Sequence, residues 1–253
     1  MSHFTVAVFS HSPEDVDRLL APFDEQSEEY YEIEPASEPP HELSEEYHRR
    51  KDEFADFEDF LSSEYGYVLE DGVIGYRCNP NAKWDWYQTG GRWMGSLKLK
   101  EGCTGNDGDA SWATHPSRIG ADGRCDQALL KDVDLSPDPD VYAEAIRFWE
   151  VVVEGDSIRE DENPDNFTAW WKPEYYIKQY ETKENYAIEQ SSFGTWAILT
   201  PDGEWHEKGD MGWWGMSDAT AESRKEYRNI FDAAVAEFSN NPDIWITIVD
   251  CHI

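Results

Sequence analysis

Two near-continuous apolar runs stand close to opposite ends of the chain, and they constrain its fold more than any other feature. FTVAVFS occupies residues 4–10 and IWITIV residues 244–249. Strands this apolar belong in the interior of a sheet whose surface is covered. Each also adjoins a helical pattern, so the two are expected to be central neighbours in one sheet with helices packed on a face. After the first run, Ser12-Pro13-Glu14-Asp15 supplies an N-cap, a proline at the first helical position and acids in the first turn. The helix that follows turns Val16, Leu19 and Leu20 inward and stops near Ala21-Pro22. Before the second run, a helix over about 220–239 places Tyr227, Ile230, Phe231, Ala234, Val235 and Phe238 on one stripe, and Asn240-Asn241-Pro242 ends it.

Between these ends, TWAILTPDGEWHE (195–207) reads as two short strands around a Pro201-Asp202-Gly203 turn. Ser136-Pro137-Asp138 opens a helix with Val141, Ala145, Ile146, Trp149 and Val152 on one face. Residues 173–190 form one or two more helices, with Thr182 as an internal cap. From Asp24 to Asp71 acids dominate, and Leu43, Tyr47, Phe54, Phe57 and Leu61 predict an amphipathic helix near 42–62 with a solvated anionic side. Residues 101–126 are rich in Gly, Ser, Asp and Thr without periodicity and read as a long loop. The order strand, helix, middle strands, helix, strand predicts an α+β fold: an elaborated ferredoxin-like sheet with helices on one face and a long middle insertion. The whole of residues 1–253 is read as a single domain, with an acidic helical insertion at about 24–71 and a loop insertion at about 101–126.

Charge excludes several function classes. The chain carries 54 Asp and Glu against 21 Lys and Arg, a formal charge of −33. A field of that sign repels nucleic acid and anionic membranes, so neither is expected as a direct partner. Adaptation to high salt, mimicry of a nucleic acid and an ordinary solvated face are the three readings of the charge. The four cysteines contain no C-x-x-C pair, the N-terminus has no basic region or long apolar segment, and no stretch is long enough to span a bilayer. A reduced cytoplasmic protein is expected. Cys103, His115 and Cys125 match no zinc-site spacing. No P-loop, H-E-x-x-H, G-x-S-x-G or dinucleotide fingerprint is present, so neither metal nor cofactor is expected.

Four stretches depart from the acidic background and concentrate chemistry: NPNAKWDWYQTGGRW (79–93), GRCDQALLKDVD (123–134), GEWHEKGDMGWWGMS (203–217) and DCHI (250–253). In the first, alternation puts Trp84 and Trp86 on one side of a strand and Asp85 on the other. Gly90-Gly91 allows a sharp turn or a close backbone approach, and Arg92 can present a planar fork to phosphate or carboxylate. Core tryptophans and an ordinary Arg92 ion pair are the alternative. Trp213-Trp214 between glycines can stack a base, or plug an Ω-loop. Asp250 and His252 point to the same side of the last strand, where a carboxylate can fix a histidine tautomer and make a general base. A structural histidine cap is the competing reading.

In order, NPNAKWDWYQTGGRW, GRCDQALLKDVD, KPEYYIKQYETKENYA, TPDGEWHEKGDMGWWGMS and VDCHI resemble an uncharacterised family of proteins encoded by tailed bacteriophages and prophages, as does the opening VAVFSHSPEDVDRLLAPFDE. The resemblance spans nearly the whole chain. It implies a phage accessory protein in the host cytoplasm, and no catalytic or binding residue is carried over from it. Cys125 departs from what the family's pattern would require, which weakens any zinc reading. Three functions follow as expectations. The first is counter-defence by binding a nucleotide-like small molecule in a pocket built from Lys83, Trp84, Asp85, Trp86, Arg92, Trp93, His206, Trp213 and Trp214. The second is an enzyme acting on such a ligand through Asp250 and His252. The third is an acidic decoy for a basic host protein.

Overall fold

The computed structural model describes residues 2–212 and 215–253. In chain order the elements are β1 (His3–Ser10), α1 (Val16–Leu20), β2 (Glu32–Pro35), α2 (Pro40–Arg50), α3 (Phe57–Tyr65), β3 (Val68–Glu70) and β4 (Val73–Cys78). There follow β5 (Trp86–Thr89), β6 (Leu97–Lys98), β7 (Arg124–Cys125), β8 (Gln127–Leu129), α4 (Pro139–Val152), α5 (Pro173–Tyr180) and α6 (Lys183–Ser191). The chain ends with β9 (Ala197–Leu199), β10 (Trp205–Glu207), α7 (Ala221–Phe238) and β11 (Trp245–His252). This is a mixed α+β fold that divides into two compact units, Leu20–Trp86 and the remainder, Met1–Leu19 with Tyr87–Ile253. Among the described residues no helix is long and apolar enough to cross a membrane.

The larger unit is built on a six-stranded mixed sheet in the order β10-β9-β1-β11-β5, with β8 also paired to β11. The two apolar runs are its central neighbours. β1 and β11 pair antiparallel over their full length, from His3 opposite His252 to Ser10 opposite Trp245. β9 pairs parallel to β1 and antiparallel to β10, closing the Pro201-Asp202-Gly203 hairpin. From Phe4 to Ser10 and from Ile246 to His252 every residue is buried, or at 9% exposure for Thr5, so both faces of the central pair are covered. One face carries Ala7, Phe9, Ile198, Ile246 and Ile248 and packs with Tyr227, Phe231 and Ala234 of α7. α7 starts in a capping box between Thr220 and Ser223. α4 opens at Pro139 with Asp138 accepting hydrogen bonds from the Asp140 and Val141 amides, and Thr182 caps α6.

The smaller unit carries the three-stranded sheet β2-β4-β3 and the helical pair α2 and α3. The single helix expected over 42–62 is instead two. Lys51–Glu53 form one 3₁₀ turn, and Asp56, in extended backbone, restarts the helix by accepting a hydrogen bond from the Asp59 amide at 2.9 Å. A straight helix would spread its aromatic stripe along one line. The break lets α3 fold back, so that Phe60, Leu61 and Leu43 are fully buried in one cluster with Tyr47, Phe54 and Phe57 around it. Arg50 holds the fold-back, reaching Glu46 at 3.3 Å, Glu53 at 2.9 Å and Glu64 at 3.0 Å.

Asp56→Ala is expected to destabilise the smaller unit by about 1 kcal/mol in urea unfolding, while Asp56→Asn stays within a few tenths. Equal effects of the two substitutions would show that the cap does not set the break.

Candidate functional site

The face of the sheet that is apolar under α7 changes character toward the His3 end of β1. Because side chains alternate, His3, Thr5, Asp250 and His252 share the face of Ala7, Phe9, Ile246 and Ile248. Here a carboxylate and two imidazoles take the place of aliphatic side chains. Asp250 is 0% exposed and His252 5%. His3 Nδ1 lies 2.8 Å from Asp250 Oδ1, and the Arg92 amide donates to Asp250 Oδ2 at 2.9 Å. The His3 and His252 rings meet edge to face, with centroids 4.9 Å apart.

The Gly-Gly pair explains how the Arg92 amide reaches a buried carboxylate. Gly90 and Gly91 have φ of +80° and +55°, a conformation that strongly favours glycine. Each also lies against a buried acid. A Cβ on Gly90 would stand 2.9 Å from Asp126 Oδ2, and one on Gly91 would overlap the Asp250 carboxylate and stand 2.7 Å from Gln88 Nε2. Asp126, itself 0% exposed, accepts from the Gly95 amide at 2.6 Å and the Gly108 amide at 2.8 Å. Burial raises its pKa, and those amide hydrogen bonds only partly offset the rise. Two internal carboxylates therefore hold the Gly90–Gly95 turn by its backbone. Gln88 Nε2, beside the same turn, is buried without a hydrogen-bond partner in the structure.

Chemically the cluster is a positioned acid–base group. Hydrogen bonding to a carboxylate places the His3 proton on Nδ1, which makes Nε2 the atom that takes or gives a proton. A second imidazole packs edge to face against the first, and the Arg92 amide, spent on Asp250 Oδ2, fixes the carboxylate that orients His3. Gly212 and Gly215 are tied to Ser2, the residue before His3. Ser2 Oγ donates to the Gly212 carbonyl and accepts from the Gly215 amide, both at 2.8 Å, and Met211 bridges to Ser217.

The expected site residues fall into several places. Asp250 and His252 sit together as their alternation predicts. Arg92 contributes its backbone amide to that pair, and Trp93 packs against the apolar cluster under α7. His206 lies on β10, 3.5 Å from Glu204, in a groove shared with His11, Thr200 and Phe238. Lys83, Trp84, Asp85 and Trp86 belong to the smaller unit, where the Lys83 amide donates to Phe23 O and Trp84 is buried. Trp84 is not in a regular strand but in an isolated bridge to Asp24. Trp213 and Trp214 lie outside the described residues. His3, Gln88 and Asp126 were not anticipated, although His3 was recoverable once the two terminal strands were paired end to end. Cys125 is buried in the core, and among the described residues no three His, Cys, Asp or Glu side chains are placed to hold a metal ion.

Gly91→Ala should cost about 2–4 kcal/mol, combining a left-handed backbone with overlap on Asp250. Gly102→Ala, at φ +77° with open space around it, should cost only about 1 kcal/mol. Similar urea midpoints for the two variants would mean that Gly91 is not held against the carboxylate. No protein-family model matches the chain, and no curated protein or solved structure matches it, so its function is argued from the site itself.

Proposed function

We propose that the chain is a phage-encoded accessory protein of the host cytoplasm that binds a nucleotide or nucleotide-derived small molecule at the polar end of its main sheet. The observation that carries this reading is the His3–Asp250–His252 cluster, with the Arg92 amide fixing its carboxylate. Core packing alone would favour aliphatic side chains at these positions, because burying a carboxylate is costly even when it is paired. A ligand that uses the imidazoles gives that cost a purpose. Sequestering a host defence signal is the biological use that the family resemblance suggests. The order strand, helix, hairpin, helix, strand with β1 beside β11 supports the ferredoxin-like reading of the sheet, elaborated here by a hairpin joined to β1 through its first strand.

An enzymatic reading is favoured by one feature, the His3 ring oriented by Asp250 so that Nε2 is its acid–base atom. Group transfer or hydrolysis on the bound ligand would then use His3 as general base, with Asp250 fixing its tautomer and His252 contacting the ligand.

A panel of mononucleotides and cyclic dinucleotides in a thermal-shift assay should raise the melting temperature for at least one member, by about 2–4 °C near saturation. His252→Ala should remove that shift while retaining the far-UV spectrum. No response to any member would sink the binding reading. For the enzymatic reading, chromatography of the responding nucleotide after incubation should show product with the native chain and none with His3→Gln. An unchanged nucleotide in both leaves binding as the function.

A further inference from the structure

A second polar site lies along α7, where a cavity of about 220 Å³ opens between α5, α6 and α7. Tyr180, Asn185, Glu189, Arg224, Lys225 and Arg228 line it. In a chain so poor in cations, two of them converge on one part-buried carboxylate, Glu189, and a third, Arg228, stands one helical turn from Arg224. Lys208 Nζ lies 2.5 Å and Arg224 Nη1 3.5 Å from Glu189 Oε1, while Arg228 pairs with the exposed Asp232, 3.7 Å away. Burial alone would raise the Glu189 pKa, but Lys208, Arg224 and Arg228 together pull it below the ordinary value. Lys208 moves down in turn, chiefly because it is buried, with Glu189 only partly compensating.

The guanidinium groups are held before any ligand arrives. Arg224 lies over the Tyr180 ring at 5.6 Å, and Arg228 over the Phe231 ring at 5.5 Å with Nη1 donating to the Phe193 carbonyl. Their spacing of four residues on α7 sets them one turn apart on the same side of the helix. The Nε of each is buried with no hydrogen-bond partner in the structure. Three part-buried cations face one part-buried carboxylate, Glu189, and one exposed carboxylate, Asp232, and among the described residues two guanidinium Nε donors are unpaired, an arrangement with room for a further anion.

We propose that this cavity is an oxyanion-binding site for a small phosphate- or carboxylate-bearing ligand, gripped by Arg224 and Arg228 and closed at its rim by Lys225. The planar forks match either group in geometry. A cavity of this size is below the roughly 300 Å³ at which pockets for larger organic ligands begin, so it takes a phosphate or a short carboxylate rather than a whole nucleotide. Exposed Lys225, which makes no ion pair among the described residues, supplies attraction at the entrance. The site is separate from the His3–Asp250–His252 cluster, and its test does not depend on that reading.

Thermal shift with sodium phosphate, and separately with sodium succinate, against sodium chloride at equal ionic strength distinguishes the two ligand chemistries. At least one should raise the melting temperature by about 2–4 °C near saturation. Arg228→Gln should weaken that response roughly tenfold or more in concentration, and Lys225→Gln more mildly. His252→Ala should leave it intact. Because Arg228→Gln could unsettle the fold, far-UV spectra accompany each variant, and Lys225→Gln, on an exposed position, carries the test if Arg228→Gln unfolds. No shift with either anion beyond chloride, or one that neither Arg228→Gln nor Lys225→Gln weakens, would overturn the assignment.

Discussion

A carboxylate with no exposed surface in the middle of a sheet is the constraint from which much of the larger unit follows. Asp250 is tolerated on β11 only because its oxygens are met by the His3 imidazole and the Arg92 amide. Breaking a buried pair of this kind typically costs about 3–5 kcal/mol, so each partner is held by the fold. Meeting His3 requires β1 to lie antiparallel beside β11 in register from end to end. Meeting the Arg92 amide requires a turn tight enough to bring backbone onto a side chain, hence Gly91 at positive φ. Asp126 repeats the solution one residue earlier, against Gly90, while its carbonyl accepts from the Ile248 amide of β11. The GRCDQ and TGGRW stretches are therefore two halves of one structural device.

Local signals made much of this legible in the sequence. The two apolar runs, the caps read at Ser12, Asp138 and Thr182 and the Pro201-Asp202-Gly203 turn act within a few residues, and each marks an element that is present. Long-range partners were less legible. The alternation of Asp250 and His252 was visible, but His3 became a partner only through pairing across 247 positions. The division of the 42–62 helix turned on Asp56, whose capping role competed with a stripe that read equally well as continuous. The Arg224–Arg228 cavity was hidden for a similar reason: its counter-ion Glu189 and its Lys208 come from different elements, and only their convergence makes the charge unusual.

The two sites differ in what they offer a ligand. The sheet-end cluster has polar groups able to exchange protons, with little net charge to attract an anion over a surface dominated by acids. The α5–α6–α7 cavity has the reverse: fixed positive charge, restricted volume and no imidazole. A strongly anionic protein repels anions at long range, so recognition of one must be local and desolvated. Part-buried guanidinium groups stacked on Tyr180 and Phe231 meet that requirement.

The proposed function rests on His3 and His252 being groups that serve a ligand rather than plugs at the end of the core. Long-range ¹H–¹⁵N NMR of the imidazoles, recorded during titration with the nucleotide panel, addresses this directly. A ligand site requires His3 in the Nδ1–H tautomer, with its Nε2 resonance and those of His252 moving as one nucleotide binds. A His3 proton found on Nε2 alone, or imidazole resonances that stay fixed through every titration, would contradict it.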